Sequence, residues 1–535
     1  MANYDEIKDF ATTTKPTVVE KATNMGTKGL ATVIASSSVG TLIEWYDFYI
    51  FGSLAKEISV QFFPSDNPTA AFLSTLATFA AGFIVRPFGA LFFGRLGDLV
   101  GRKYTFLLTL LMMGGATFLI GLIPGYKTIG ALAPALVLIL RLLQGLALGG
   151  EYGGAATYVA EHSPIGKRGF WTSWIQTTAT IGLFVSLIVI IICRHSMTKD
   201  AFADWGWRVP FLLSIFMVAI SVVIRLRMNE SPLFTKLKAE GKVSANPLAE
   251  SFGKKENFKM VLLALFGATC GQGVVWYTGQ FYAMNFLKGA CAVEPEQVET
   301  WLGIALLLGT PFFIVFATLS DKIGRKWIMM GGMLLAILAT KPIFQQLKAV
   351  TDPVNKSEIT DKMEKKAPVV KVDEKTKDST VTNVTMSYFA DGSALTTTVV
   401  TLAPVDTVGK SAKMKPKTAK VMLLGQSNKW SIIGLCFILV LFVTMVYGPI
   451  AAFLVELFPT RIRYTSMSLP YHIGNGVFGG LVPFIGVLLT EATKTAANPV
   501  GDIYAGLNYP LGVAALCLVI GVFFLPNKNE ESVEE

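Results

Sequence analysis

Twelve long apolar runs, separated by polar segments, dominate this chain of 535 residues. Runs of about 18 to 25 apolar residues are long enough to cross the hydrocarbon core of a bilayer as helices. The pattern therefore predicts an all-α membrane protein with twelve transmembrane spans in two sets of six. The first set lies near residues 31–56, 70–93, 104–124, 129–151, 170–193 and 209–227. The second set lies near residues 260–287, 300–319, 327–345, 429–455, 465–490 and 505–526.

A short charged signature occurs once in each set, between its second and third runs. It reads GRLGDLVGRK at residues 94–103 and, in a trimmed form, LSDKIGRK at residues 319–326. Asp98 and Asp321 are 223 residues apart, as are Arg102 and Arg325. A signature repeated at a fixed offset between apolar runs indicates one membrane module used twice. The sequence therefore predicts two pseudo-symmetric six-helix bundles.

A second pair of landmarks locates an insertion in the second set. Glu161 and Glu456, which follow spans four and ten, are 295 residues apart, 72 more than the offset of the charged signatures. The extra residues must lie between spans nine and ten, in the polar stretch at about 347–428. Lys341 and Pro342 interrupt the ninth run, and we expect them to mark its outer end.

The insertion contains a pattern typical of a β-hairpin. Residues 381–400 alternate β-prone and small side chains around Asp391-Gly392, a pair expected in a tight turn. The pattern predicts a small external β element. A disordered loop is the alternative, because an isolated hairpin is only marginally stable in water.

Composition supports a membrane location: 52% of the residues are apolar and only 16% are charged. The net charge of +10 comes from Lys and Arg in short segments between apolar runs rather than along one face, so we expect a lipid bilayer as partner and no nucleic acid. The five cysteines have no metal-ligand spacing, and no nucleophile motif or phosphate loop is present. We therefore expect no metal, cofactor, disulfide or enzymatic activity.

The basic short loops all fall on one side of the predicted bundle, which the positive-inside rule makes the cytoplasmic side. Ser231 and Pro232 predict the start of a short helix in the linker on that side. The first thirty residues lack the apolar core of a cleaved signal peptide. We expect cytoplasmic tails at 1–30 and 527–535, bundles at 31–228 and 259–526, and a linker at 229–258.

Ionisable residues within the spans are candidates for transport chemistry, because a charge in a bilayer is costly. Glu44 and Asp47 lie on one face of span one, Arg86 in span two and Arg141 in span four. Together they can take up a proton and hold a charged substrate; a static ion pair that locks helices together is the alternative. At the 223-residue offset Glu44 and Asp47 have no acidic counterparts, so we expect proton chemistry in the first half alone.

The second half offers polar aromatic and amide side chains within its spans. They are Trp276, Tyr277, Gln280, Tyr447, Tyr471, His472 and Asn475. These side chains are candidates for substrate contacts; anchoring at the membrane interface or packing is the alternative. In the first half, Gly145, Gly149 and Gly153 recur every four residues and predict close helix contact.

Several motifs resemble those of the metabolite:proton symporter family of the major facilitator superfamily. Besides the charged signatures they are IEWYDFY at 43–49, RPFG at 86–89, RLLQG at 141–145 with GGEYGG at 149–154, WGWRVPF at 205–211 and FPTR at 458–461. The resemblance implies a central site open to one side at a time and proton-coupled uptake across a bacterial inner membrane. It also implies that Asp98 and Arg102 belong to an interbundle latch. The long insertion departs from the family pattern.

These observations give one hypothesis: Glu44 or Asp47 accepts the coupling proton, and Arg141 and Arg86 bind the carboxylate of a small organic anion or zwitterion. Gln144 and Tyr46, from the matching motifs, are further candidate substrate contacts. The candidate latch residues are Gly94, Asp98, Arg102, Asp321 and Arg325. We expect a functional monomer. The alternatives are an uncoupled facilitator of the same substrates and a sensor that kept the transporter fold and uses the insertion.

Overall fold

A computed structural model describes residues 27–63, 68–164, 166–227, 230–372, 379–402, 417–495, 497–498 and 500–526. Residues 1–26 of the predicted N-terminal tail and the whole predicted C-terminal tail, residues 527–535, lie outside these ranges. Twelve long helices run through the described residues. In the first half they are α1 Thr27–Ser53, α2 Pro68–Leu99, α3 Arg102–Leu122, α4 Leu132–His162, α5 Arg168–His195 and α6 Gly206–Arg227. In the second half they are α7 Lys255–Lys288, α8 Pro295–Ile323, α9 Arg325–Thr351, α10 Gln426–Leu457, α11 Arg463–Ala492 and α12 Ala505–Phe524.

Helix packing repeats between the two halves. In the first half α2 packs on α4, α3 on α6, and α1 on α5; in the second half α8 packs on α10, α9 on α12, and α7 on α11. Between the halves, α2 packs on α11 and α5 on α8. Ten of the helices, α3 to α12, are long and apolar enough to cross a membrane. The predicted twelve-helix architecture of two six-helix bundles is confirmed.

The glycine repeat of α4 allows close contact with α2. A Cβ atom at Gly145 would lie 2.2 Å from the carbonyl oxygen of Gly82, and one at Gly149 would lie 2.3 Å from that of Arg86. Because only glycine permits this approach, α4 fixes the position of the α2 backbone that carries Arg86.

Two local predictions have different outcomes. The linker helix is confirmed: it spans Pro232–Ala239, and the Ser231 hydroxyl accepts a hydrogen bond from the Phe234 N–H. The predicted end of the ninth span at Pro342 is wrong, because α9 continues to Thr351. Beyond the proline, Phe344 packs on the rings of Tyr282 and Phe286, and this apolar packing offsets the backbone hydrogen bond that proline cannot make.

The insertion contains a four-stranded antiparallel sheet, which confirms the predicted β element. Its strands are β1 Glu364–Val372, β2 Ser379–Tyr388, β3 Ala394–Leu402 and β4 Lys417–Leu423, paired in chain order. The predicted hairpin joins β2 to β3, with Tyr388 opposite Ala394 and Gly392 at a φ of 80° in the turn. The flanking strands β1 and β4 supply the pairing that an isolated hairpin lacks.

The hairpin turn is anchored to the helix ends that lie opposite the charged signatures. Asp391 accepts hydrogen bonds from the Lys356 ammonium at 2.5 Å, the Asn428 amide at 2.8 Å and the Ser393 N–H at 2.9 Å. Met422 of β4 exchanges backbone hydrogen bonds with Ala292 and Glu294, just before α8. All of these anchors belong to the second half, so the sheet is attached to that bundle.

Candidate functional site

A central cavity lies between the two halves. The first half contributes Thr41, Glu44, Trp45, Arg86, Tyr152, Ile175 and Gln176, and the second half contributes Trp276, Tyr277, Tyr447, Tyr471, His472 and Asn475. Two charged side chains of opposite sign, Glu44 and Arg86, therefore face the same space, which six aromatic side chains surround. Eight of the side chains predicted from the sequence for proton or substrate binding lie here.

The cavity wall contains polar atoms that are available to a ligand. The Nε of Arg86, the Nε1 of Trp276 and the Nε2 of His472 are buried, and no described residue hydrogen-bonds them. The Arg86 guanidinium lies 4.4 Å from the centroid of the Phe83 ring, which holds it by a cation–π contact. Buried polar atoms of this kind are normally satisfied, so the cavity is suited to a small polar ligand that accepts hydrogen bonds.

Asp47 and Arg141 form a separate network inside the first half. Asp47 accepts a hydrogen bond of 2.7 Å from the Thr117 hydroxyl of α3, which accepts one of 2.5 Å from the Gln144 amide. The Gln144 carbonyl in turn accepts a hydrogen bond of 2.8 Å from the Arg141 guanidinium, which stacks over Phe51 at 4.1 Å. None of these residues lines the cavity. The four charges considered together from the sequence thus form two sites.

Two further candidates from the sequence also lie away from the cavity lining. The Tyr46 hydroxyl donates a hydrogen bond of 2.8 Å to the Pro210 carbonyl at the start of α6, within an apolar cluster. Gln280 is buried in a wide helical turn of α7, Thr278–Tyr282. These positions favour packing for Tyr46 and place Gln280 one turn beyond Trp276 along α7.

Aromatic contacts close the cavity on both sides along the helix axes. Toward the charged signatures, the Tyr152 ring stacks on the Tyr471 ring at 3.6 Å, and the Tyr447 and Tyr471 hydroxyls are 2.8 Å apart. Toward the sheet, the rings of Phe48 and Phe281 are 6.1 Å apart. The Tyr152–Tyr471 and Phe48–Phe281 contacts each join the first half to the second.

The first charged signature joins the two halves at the end opposite the sheet. One Asp98 carboxylate oxygen accepts hydrogen bonds from the Thr465 N–H at 2.9 Å and from its hydroxyl at 2.7 Å, in the first turn of α11. The other oxygen is 3.2 Å from the Arg102 guanidinium, which donates to the Thr460 carbonyl at 2.9 Å. The positive end of the α11 dipole favours this carboxylate. Gly94 permits the approach, because a Cβ there would lie 2.9 Å from the Thr465 Cα.

The second signature makes the equivalent contact in the opposite direction. Asp321 accepts hydrogen bonds from the N–H groups of Gly169 and Phe170, at 2.8 and 2.9 Å, in the first turn of α5. Its carboxylate is 2.6 Å from the Arg325 guanidinium, which also binds Glu456 at 2.6 Å. The trimmed signature therefore forms an interbundle contact as complete as that of the first.

Similarity to known proteins shows which family this chain belongs to. The family described as sugar (and other) transporters matches residues 32–257. The alpha-ketoglutarate permease of Escherichia coli K12 is 34% identical over 337 residues, which are 63% of this chain and 76% of the permease. The inner membrane metabolite transport protein YhjE of the same organism is 32% identical over 491 residues, 91% of this chain and 93% of YhjE. The chain belongs to the major facilitator superfamily.

The fold of this major facilitator chain matches that of a solved transporter. The proton:xylose symporter XylE, bound to 6-bromo-6-deoxy-D-glucose, superimposes with a TM-score of 0.64 at 14% identity, over 94% of this chain and 98% of XylE. With the relatives named above, this fold shows that the chain is a multi-pass membrane transporter and not an enzyme, as its sequence predicts.

Several residues of this transporter's sites were not identified from the sequence. Thr117 connects Asp47 to Gln144, but it is one of three buried threonines in α3, with Thr105 and Thr109, and the sequence does not single it out. Glu161 binds Arg102 at 3.6 Å and Arg463 at 3.2 Å, just as its repeat counterpart Glu456 binds Arg325. From the sequence, Glu161 and Glu456 served only to locate the insertion. Their equivalent positions in the two halves were also the signal that both bind arginine.

Proposed function

We propose that this transporter is a proton-coupled symporter that imports a small organic acid or zwitterion by alternating access. The observation that carries the proposal is that Glu44 and Arg86 line one cavity between the two halves. Intramembrane charges of this kind are functional by default. The names of its relatives, an alpha-ketoglutarate permease and a proton:xylose symporter, agree with this class of transport.

Arg86 binds the substrate carboxylate in this proposal, because its guanidinium faces the cavity and offers a planar fork of donors. Trp276 donates a further hydrogen bond, His472 donates or accepts one, and the surrounding rings cover the apolar part of the substrate. Arg141 acts indirectly: through Gln144 and Thr117 it holds Asp47 and so fixes the packing of α1 against α3 and α4. Asp47 remains a second candidate for proton uptake.

Glu44 accepts the coupling proton in this proposal. When it is a carboxylate it competes with the substrate carboxylate for Arg86, and when it is protonated it releases Arg86 to the substrate. Proton and substrate therefore load together. One positive charge moving through 100 mV contributes about 2.3 kcal/mol, enough to sustain roughly a fifty-fold substrate gradient.

The bundles at 31–228 and 259–526 then rock about the loaded cavity. The two charged signatures hold the bundles together at one end, and we propose that this end faces the cytoplasm of a bacterial cell, with both tails on the same side. The sheet then projects on the outer side. The functional unit is the monomer.

Reconstitution into liposomes tests this function. Uptake of 2-oxoglutarate, citrate and glycine betaine is measured with and without an imposed inside-alkaline pH gradient. We expect one of these substrates to accumulate only with the gradient. Uptake that ignores the gradient would identify an uncoupled facilitator, and the absence of transport in a correctly folded protein would favour a sensor.

A further inference from the structure

A buried ion pair outside the cavity joins two helices of the first half. Glu151 of α4 and Arg225 of α6 are each 1% exposed, and the Arg225 guanidinium donates a hydrogen bond of 2.6 Å to one Glu151 carboxylate oxygen. The other oxygen accepts a hydrogen bond of 2.9 Å from the Thr109 hydroxyl of α3. The guanidinium also stacks on the Phe106 ring at 3.5 Å. Burying such a pair is costly, and the transport cycle proposed above does not use it.

Gly40 brings this ion pair against α1 directly beside Glu44. Gly40 and Glu44 are four residues apart and share one helical face. A Cβ atom at Gly40 would lie 1.7 Å from an Arg225 guanidinium nitrogen and 3.0 Å from a Glu151 carboxylate oxygen. Only glycine permits this contact. The pair thus reaches α1 one helical turn from Glu44, on the side of the charged signatures.

Two buried hydroxyls extend this polar region. Ser37 lies three residues before Gly40 on α1, and Ser221 lies four residues before Arg225 on α6. Both side chains are fully buried, and no described residue hydrogen-bonds their oxygens. Buried hydroxyls without a protein partner are sites that internal water can occupy. Ser37, Gly40 and Glu44 follow one another at helical spacing on α1, as do Ser221 and Arg225 on α6.

We propose that Glu151 is a relay carboxylate that carries the coupling proton from Glu44 toward the end of the molecule with the charged signatures. The inference rests on the proposed function, because Glu44 must first accept the proton. The O–H bond of protonated Glu44 then breaks, and its proton passes through hydrogen-bonded water to a Glu151 carboxylate oxygen. Glu44 is left as a carboxylate beside Arg86.

The relay is completed when Glu151 loses the proton again. Protonated Glu151 is neutral and no longer pairs with Arg225; release of the proton to water at the end with the charged signatures restores the pair. The charged and titratable groups near Glu151 are Arg225 from α6, Glu44 from α1 and Tyr464 from α11. In its carboxylate form Glu151 pairs with Arg225, and in this form it receives the proton from Glu44.

Glu151→Gln tests the relay in liposomes, with whichever of 2-oxoglutarate, citrate and glycine betaine the wild-type protein accumulates. A gradient of two pH units sustains about a hundred-fold accumulation at one proton per substrate. We expect Glu151→Gln to reduce this to simple equilibration while exchange of preloaded substrate continues. Wild-type accumulation by the variant would overturn the relay. A wild-type protein that ignores the gradient would instead overturn the proposed function.

A double variant separates the relay from a purely structural ion pair. Glu151→Gln with Arg225→Met leaves no buried charge unpaired, so we expect it to fold and to exchange substrate. If the pair only locks helices together, the double variant accumulates substrate as the wild type does, which would overturn the proposal. Loss of accumulation with exchange intact supports it.

Two further variants keep both charges and test the same path. Thr109→Val removes one hydrogen bond to Glu151, and we expect the pH of half-maximal uptake to shift by about half a unit or more. Gly40→Ala displaces the pair from α1 and is expected to lower accumulation at least ten-fold. Gly52→Ala on the same helix, where a Cβ atom meets nothing within 4 Å, is the matched control. An unchanged pH profile of Thr109→Val would overturn the relay.

Discussion

Arg86 and Arg141 carry the same guanidinium group in different surroundings. Arg86 lines the cavity beside the Phe83 ring, whereas Arg141 is 5% exposed and is hydrogen-bonded to Gln144 inside the first half. A ligand that took the place of Gln144 on Arg141 would break the chain of hydrogen bonds from Arg141 to Asp47. At the scale of single residues, we therefore propose that Arg86 binds the substrate and that Arg141 holds the packing of the first half.

This division predicts different effects of the same substitution. Arg86→Lys loses the planar fork, and we expect the Kd for an anionic substrate to rise about ten-fold or more, since hydrogen bonds to charged groups are worth about 1.5–3 kcal/mol. Arg141→Lys is expected to lower the melting temperature while the Kd changes by less than about three-fold. Arg194→Lys, at an exposed ion pair with Glu57, is the control. Equal Kd effects of the first two would contradict the assignment.

Glu44→Gln tests the proton acceptor itself. The amide imitates the protonated carboxyl group but cannot release a proton, so we expect pH-driven accumulation to fall about ten-fold for each pH unit of gradient at one proton per substrate. Exchange of preloaded substrate should continue. Glu57→Gln, on the short helix after α1, is the control. Normal accumulation by Glu44→Gln would show that Glu44 is not the proton acceptor and would favour Asp47 instead.

Among the elements, the inserted sheet is anchored at its hairpin turn by one carboxylate, that of Asp391. Partial burial acts to raise the pKa of Asp391, but the hydrogen bonds from Lys356, Asn428 and Ser393 outweigh it and hold this pKa well below its usual range. The charged form is therefore the one that the folded insertion stabilises. Because the folded-state pKa is depressed, this stabilisation is complete above the unfolded-state pKa of about 3.9 and is lost as the pH falls toward the folded value.

The attachment predicts a local loss of stability in Asp391→Asn. The amide cannot form the ion pair with Lys356, and we expect amide hydrogen exchange in β2 and β3 to accelerate about ten-fold or more at pH 7. In the wild-type protein, exchange protection of the sheet should be constant from pH 7 to about 5 and should weaken below about pH 4. Asp361→Asn, at an exposed position of the insertion, is the control. Equal exchange in both variants would contradict the assignment.

On the scale of the whole molecule, the two interbundle contacts are related by the repeat. Asp98 binds the first turn of α11 and Asp321 that of α5, so each half supplies one carboxylate and one helix N-terminus. Both contacts lie at the same end, and both must break before that end can open. Their equivalence contrasts with the sequence, in which the second signature lacks the glycine at the position of Gly97.

We therefore expect Asp98→Asn and Asp321→Asn to have similar effects, each weakening the closed end by about 1–2 kcal/mol. Spin labels on Arg95→Cys and Lys322→Cys, one in each half, report the distance between the halves. Each substitution should increase the separated population by roughly five- to thirty-fold. Asp200→Asn, at the other end of the molecule, is the control. A change with Asp98→Asn alone would restrict the latch to the first signature.

The repeat explains how much the sequence alone could predict. Offsets between Asp98 and Asp321 and between Glu161 and Glu456 predicted the duplication and located the insertion, because both are properties of chain order. The bridge through Thr117 could not be predicted. The side chains of α3 are mostly apolar, and its threonines can also bond their own backbone, so the sequence does not reveal which of them meets α1 and α4. The prediction that span nine ends at Pro342 failed for a related reason. Whether a helix continues past a proline depends on packing partners that are distant in sequence, here Tyr282 and Phe286.

Because its anchors all lie in the second half, the sheet acts as a lever arm. Strand β2 has 10 residues and extends about 30 Å at the usual rise per residue. A rigid-body rotation of about 15°, similar to that of haemoglobin dimers, would move the far end of the sheet by about 8 Å. A large molecule bound at this end would have to move with the sheet in each transport cycle. We therefore expect such binding to slow turnover.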